Sequence, residues 1–313
     1  MRIAFHTPQL DVRGTCVAIY DYAHYNETLL NNRSIIILPE LSNNDEMIMN
    51  KFYNRFQIIT YGKNRSLEDA IEGCDVLYCI KYGKKDRIIS TKIKTVVHCV
   101  FDMTEPHGDV YAGVSSTLAR KFNNSVFVPH MVGLKPDIGG DNMRKELGIP
   151  KNAVVFGRHG GQDTFNLDFA INGIQEILDA TNNIWFVFVN TPKYWDNKRV
   201  IYINKIIYNS EKNRFINTCD AHLECGTMGH TFGLSMAEFS VNNKPIISHK
   251  GNTWNTAHLD ILGDKAIYFD TKTNFIEALT TFVPKVWEKR DNNCYRNYTP
   301  ENVMGQFNSI FLI

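Results

Sequence analysis

Short runs of consecutive apolar, mostly β-branched residues recur along the chain, separated by longer stretches in which apolar residues return at helical spacing. In the first part of the sequence the runs fall at 3–5, 34–38, 57–60, 76–80, 95–98 and 126–128, and a helical pattern covers 16–30. A strand that is apolar on both faces belongs in a sheet covered on both sides, and helical crossovers between such strands make that sheet parallel. The pattern therefore predicts a right-handed, doubly wound α/β domain. It lapses where Gly133, Pro136, Gly139, Gly140 and Pro150 interrupt it, which predicts a linker over 136–150 with a short helix at 144–147. It then restarts, with strands expected at 153–156, 184–189, 200–203, 245–248 and 266–269 and helices at 167–180, 234–241 and 274–283. The organisation is thus a Rossmann-like domain over 1–135, the linker, a second Rossmann-like domain over 151–290 and a C-terminal segment over 291–313. No solenoid repeat or low-complexity tract disturbs it.

Length agrees with this division, since 313 residues suit two cores of about 150 residues each. A formal net charge of +1 removes bulk electrostatics as a way to hold nucleic acid or an anionic membrane, so selectivity has to come from local groups. The one locally basic stretch, Lys81, Lys84, Lys85, Arg87, Lys92 and Lys94, reads as a solvated face; an anionic acceptor or peripheral membrane contact is the alternative. The cysteines, seven in number, include no C-x-x-C pair and read as reduced, mostly buried thiols. No signal-like or membrane-spanning run of apolar residues is present, so a cytoplasmic location is expected and Asn-x-Ser/Thr triplets such as Asn26-Glu27-Thr28 would stay unmodified.

Two open α/β domains leave a cleft outside the carboxyl ends of their strands, and ligands bind there. Four segments carry chemistry suited to such a place. Gly229-His230-Thr231-Phe232-Gly233-Leu234 runs into a helix whose first backbone N–H groups, from Thr231, Phe232, Gly233 and Leu234, form an anion site. Glu238, one turn further in, can accept hydrogen bonds from vicinal ribose hydroxyls; a capped helix with a solvated glutamate is the plainer reading. Arg158, Gly160, Gly161 and Asp163 follow an expected strand, where the arginine fork suits phosphate oxygens and the glycines let backbone approach a ligand. A tight turn with a structural Arg–Asp pair is the alternative there. Gly14, in the loop after the first strand, could present N–H groups to a phosphate or an acceptor. His98 ends an expected strand and His107 follows it; both are candidate catalytic residues, against the alternative of a hydrogen-bonded core histidine. Asp220-Ala221-His222-Leu223-Glu224 has metal-binding residue types but lacks further ligands at suitable spacing, so no metal site is expected.

The segment from His230 through Glu238, followed by Asn243-Lys244-Pro245-Ile246-Ile247, resembles the donor-binding motif of family-4-type retaining glycosyltransferases, E-x-F-G-L-x-x-x-E. Phe232, Gly233, Leu234 and Glu238 match; His230 stands where the family has a glutamate that contacts the transferred sugar. The Arg158 loop resembles the family's G-R-x-x-x-x-K-G loop, with its lysine missing near Asp163 or Thr164, in the manner of a divergent branch with viral and bacterial members. The resemblance implies a GT-B architecture, two Rossmann-like domains facing across a cleft, with a C-terminal segment crossing back to the N-terminal domain. It also implies a metal-independent hexosyltransferase without a cofactor, which takes a sugar from a nucleotide-sugar donor, with retention, to a glycan, glycoprotein or small-molecule acceptor. The C-terminal domain would hold the donor, with Arg158 on its diphosphate, and the N-terminal domain the acceptor; His230, His98 and His107 would be the catalytic candidates. A non-catalytic scaffold of the same fold and a GT-B-fold sugar-nucleotide epimerase are the alternatives.

Overall fold

The structure, a computed structural model, describes residues 1–251 and 254–313. The chain divides into two units, Met1–Gly133 with Asn297–Ile313, and Leu134–Arg296. In the first unit the elements follow as β1 (Arg2–His6), α1 (Gly14–Thr28), β2 (Arg33–Pro39), α2 (Glu46–Tyr53), β3 (Gln57–Tyr61), α3 (Leu67–Ala70), β4 (Val76–Lys81), β5 (Lys94–Cys99), β6 (Val110–Gly113) and α4 (Ser116–Lys121). The strands form one parallel sheet in the order β3-β2-β1-β4-β5-β6. The chain winds outward from β1 through β2 and β3, then returns to the other side of β1 with β4, so the topological switch point lies between β1 and β4. Ala4, Ile35, Ile37, Leu77 and Cys79 form part of the apolar layer under the sheet.

The second unit repeats the plan with β7 (Val154–Arg158), α5 (Asp168–Ala180), β8 (Ile184–Val189), β9 (Val200–Ile203), α6 (Asn209–Thr218), β10 (Ala221–Glu224), β11 (Gly229–His230), α7 (Leu234–Val241), β12 (Ile246–His249), β13 (Asn255–Thr256), α8 (Ala257–Leu262), β14 (Ile267–Phe269), α9 (Lys272–Thr280) and α10 (Pro284–Trp287). Its parallel sheet runs β14-β12-β10-β7-β8-β9, so here the switch point lies between β7 and β10. Phe156, Phe186, Phe188, Leu223, Ile247 and Phe275 are among the residues of its core. Gly157 is a close-approach glycine in this core: a Cβ there would stand 2.2 Å from Cys219 Sγ. The last α-helix, α11 (Pro300–Phe307), and the π-helical turn after it (Asn308–Leu312) return to the first unit, where Phe307 and Phe311 pack on Tyr78, with ring centroids 5.4 and 5.8 Å away.

Three segments differ from the expectation. Residues 126–128 form no full strand; Phe127 makes a single bridge to Gly113, the end of the unforeseen β6. Residues 144–147 form turns, not a helix. The 136–150 segment belongs to the second unit, because its polar groups are tied to α6 and the residues after it: Met143 N–H donates to Thr218 Oγ1 (2.8 Å), Arg144 pairs with Asp220 (2.8 Å) and Asn217 donates to the Asp137 carbonyl (2.7 Å). None of the described helices is long and apolar enough to cross a membrane.

Candidate functional site

In the second unit, the switch point brings the carboxyl ends of β7 and β10 side by side, and their last residues are Arg158 and Glu224. A parallel sheet offers its ligand site at this position. The loop after β10 leads through β11 into α7, so the switch point, the Gly229–Leu234 loop and the first turn of α7 are continuous in the chain. Gly233 is the N-cap of α7 and adopts φ +88°, a left-handed conformation that a side chain resists. No side chain caps this helix, so the N–H groups of its first turn, beginning at Leu234, have no side-chain acceptor. Around them, Thr231 and Phe232 are buried, and the Tyr295 hydroxyl donates to the Phe232 carbonyl at 2.8 Å.

Glu238 is not a solvated glutamate. It is buried, with Lys212 Nζ of α6 2.5 Å from one carboxylate oxygen and His159 Nε2 3.0 Å from the other, off the direction of a straight hydrogen bond. Burial raises the carboxyl's pKa, but the Lys212 charge and the contacts of His159 outweigh it and hold the group at about 2. The His159 ring stacks on Phe239 at 5.9 Å, which fixes it from the α7 side. Lys212 and His159 were not among the residues singled out from sequence. A cation on a helix 26 residues before its partner shows no local signal, and its burial is a tertiary fact.

Arg158 is fully buried, and its guanidinium is engaged from several sides. It donates to Thr191 Oγ1 at 2.5 Å and to the Gly161 carbonyl at 2.7 Å, and it also meets Thr164 Oγ1, while Nε has no partner. Asn190 donates to the Gly160 carbonyl at 2.7 Å. The fork expected to grip phosphate is thus turned onto Thr191 and its own loop, where it braces Gly161 and Thr164 while Asn190 holds Gly160; Asp163 is exposed and is not among its hydrogen-bond partners. Burial lowers the arginine's pKa, with Glu224 the first of the charges that oppose the shift.

His230 lies beside Glu224, with Nε2 3.2 Å from Oε1, and its backbone N–H donates to His258 Nδ1 at 3.2 Å. Glu224 was singled out from sequence only as part of a metal-like cluster. Among the described residues, no group of three or more His, Cys, Asp or Glu side chains could hold a metal ion, and Asp220 is instead tied to Arg144 and to the Val155 N–H.

In the first unit the expected catalytic histidine is a core residue. His98 is fully buried, with Nδ1 2.6 Å from the Tyr78 hydroxyl and Nε2 2.8 Å from the Val128 carbonyl, so both ring nitrogens are taken. Burial lowers its pKa to about 4, and it is neutral at pH 7. His107 is also buried, its Nδ1 2.6 Å from the Glu105 carbonyl. Gly14 is the first residue of α1, whose N-cap Arg13 offers no side-chain cap. Two of the six cations of the basic stretch are paired: Lys81 with Asp86 at 2.6 Å, and Lys84 at 3.4 Å from Asp102 and 3.2 Å from Glu105.

No protein-family model matches the chain, and no curated protein matches it in sequence. Solved structures do match it in fold. HepE from Anabaena in complex with UDP-glucose has a TM-score of 0.67 at 12% identity, over 99% of this chain and 95% of that one. TarM has a TM-score of 0.71 at 7% identity, over 100% and 99%. Sucrose-phosphate synthase from Thermosynechococcus elongatus has a TM-score of 0.65 at 10% identity, over 100% and 96%. With two doubly wound parallel sheets of six strands each and these structural relatives, the chain has the GT-B glycosyltransferase fold.

Proposed function

We propose that this protein is a metal-independent glycosyltransferase that binds a nucleotide-sugar donor in its second unit and transfers the sugar, with retention, to an acceptor bound by the first. The observation that carries this reading is Glu238: a buried, ionised carboxylate one turn inside an uncapped helix at the switch point of a GT-B unit. Vicinal ribose hydroxyls suit such a carboxylate, which would share them with Lys212 and His159. The first-turn N–H groups of α7 and the Gly160–Gly161 loop would take the diphosphate, where backbone dipoles would stabilise the negative charge that grows on the leaving group. Arg158 acts through the loop that it braces. This reading gives no chemical step to His98, which is buried with both ring nitrogens engaged. UDP-glucose is the first donor to try, because HepE is described in complex with it.

The second reading, a non-catalytic sugar-nucleotide binder, is favoured by the occupied fork of Arg158 and by His230 in place of a glutamate. Turnover separates the two. Donor binding is measured by calorimetry with UDP-, GDP- and ADP-glucose, with and without EDTA, and donor consumption is followed by release of the nucleoside diphosphate. Selective binding that survives EDTA, with release above the uncatalysed rate, is the expected result. Binding without release would favour the binder, and loss of binding in EDTA would refute metal independence.

A further inference from the structure

Glu224 is a buried carboxylate at the end of a central strand, a costly place for a charge without compensation. Its Oε1 accepts the Gly226 N–H at 2.9 Å and lies 3.2 Å from His230 Nε2, and its Oε2 lies 3.7 Å from His222 Nε2. His222 is fully buried with no hydrogen bond on either ring nitrogen, so it supports the carboxylate only from a distance. His230 differs from it in exposure. Its Nε2, 3.2 Å from Glu224 Oε1 but off the direction of a straight hydrogen bond, is likewise sealed from solvent, yet the side chain as a whole keeps 22% of its surface exposed. The ring is also held in place through its backbone: Gly229 and His230 pair with Asn255 and Thr256, and the His230 N–H is taken by His258. A carboxylate behind one nitrogen of an imidazole keeps the proton on that nitrogen and leaves a lone pair on the other.

We infer that Glu224 is a positioning residue of the donor-sugar subsite: it holds the His230 proton on Nε2, so that Nδ1 accepts a hydrogen bond from a hydroxyl of the sugar to be transferred. This rests on the donor-site reading above and deepens it. His230 occupies the motif position where the resemblance places a sugar-contacting glutamate, and an Nδ1 lone pair would keep an acceptor there. A simple buried ion pair would have no need of a partly exposed imidazole edge.

The test uses the whole chain, with UDP and UDP-glucose as probes and their affinity ratio as the readout of the sugar subsite. Glu224→Gln and His230→Asn should each reduce the preference for UDP-glucose over UDP by about fivefold to tenfold, the worth of one hydrogen bond, and leave UDP affinity within about twofold. The double variant should lose no more than either single one. Nitrogen NMR of the His230 ring in the wild type, without ligand, should show the neutral ring protonated on Nε2, and Glu224→Gln should weaken that preference. Equal losses for UDP and UDP-glucose, or a wild-type ring protonated on Nδ1, would overturn the inference. If Glu224→Gln does not fold, His230→Asn and the wild-type ring carry the test. Should the wild type bind neither probe while its ring is protonated on Nε2, the donor-site reading fails and the sugar subsite with it, although the Glu224–His230 pairing stands.

Discussion

Replacing Lys212 with methionine removes the charge that faces Glu238 and keeps most of the apolar stem. Lys212 Nζ lies 2.5 Å from Glu238 Oε1, and both side chains are nearly sealed from solvent, so the variant strands a buried carboxylate. Breaking a buried pair in this way costs about 3–5 kcal/mol. The hold on the proton gives a similar figure: moving a carboxyl from 4.5 to about 2 corresponds to about 3 kcal/mol of preference for the charged form. His159 remains beside the other oxygen, at 3.0 Å, which favours the lower end of the range. For a unit of this length, about 3 kcal/mol lowers the melting temperature by about 6–12 °C. The assay is thermal unfolding at pH 7 of the wild type, Lys212→Met, Glu238→Leu and the double variant. The double variant should be more stable than the sum of the single losses allows, since it leaves no lone charge. The Lys212→Met deficit should also shrink below about pH 4.5, where a carboxyl without its cation takes up a proton. A Lys212→Met variant within about 2 °C of the wild type would refute the reasoning.

Gly233→Ala forces a side chain into a left-handed N-cap, with its Cβ 2.6 Å from Met236 Cε, and should cost about 1–2 kcal/mol in unfolding experiments and weaken nucleotide binding. His98→Phe removes the partners of the Tyr78 hydroxyl and the Val128 carbonyl; it should destabilise the first unit by about 1–3 kcal/mol and leave calorimetric donor affinity unchanged. Burial lowers the pKa of each of His6, His98, His222 and His258 to about 4, so the unfolded chain binds their protons first as the solution is acidified. Their contribution is present above the ordinary histidine pKa and is lost as pH falls from about 6.5 through 4, so urea unfolding should show stability already declining at pH 6; a flat profile down to pH 5 would contradict this.

The sheets were legible because parallel strands buried on both faces are written as continuous apolar runs, as in Ile35-Ile36-Ile37-Leu38 and Ile184-Trp185-Phe186-Val187-Phe188-Val189. The exception is instructive. β10 carries His222 and Glu224 inside a buried strand, so its letters suggest a polar cluster, and the local pattern hides the strand that completes the switch point. The α7 helix was legible to its ends because Gly233 starts it and Asn242 and Asn243, the latter at φ +58°, end it. What the sequence could not reveal is pairing at a distance. Arg158 and Glu238 stood out as single residues, but the direction of the arginine fork and the identity of the carboxylate's partners depend on Thr191, Lys212 and His159, which the fold brings together from other elements. His98 shows the same limit in reverse, since its strand-end position is equally consistent with chemistry and with a core hydrogen bond until Tyr78 and Val128 are seen on its two nitrogens.

The central claim is a donor site in the second unit built around Glu238. Calorimetric titration of UDP-glucose into the wild type and Glu238→Gln, in EDTA, tests it most directly. The account expects saturable one-to-one binding to the wild type, and in the folded variant a loss of at least about tenfold, corresponding to about 1.4 kcal/mol for hydrogen bonds to a charged acceptor. Equal affinity in the two proteins, each shown to be folded, would contradict it.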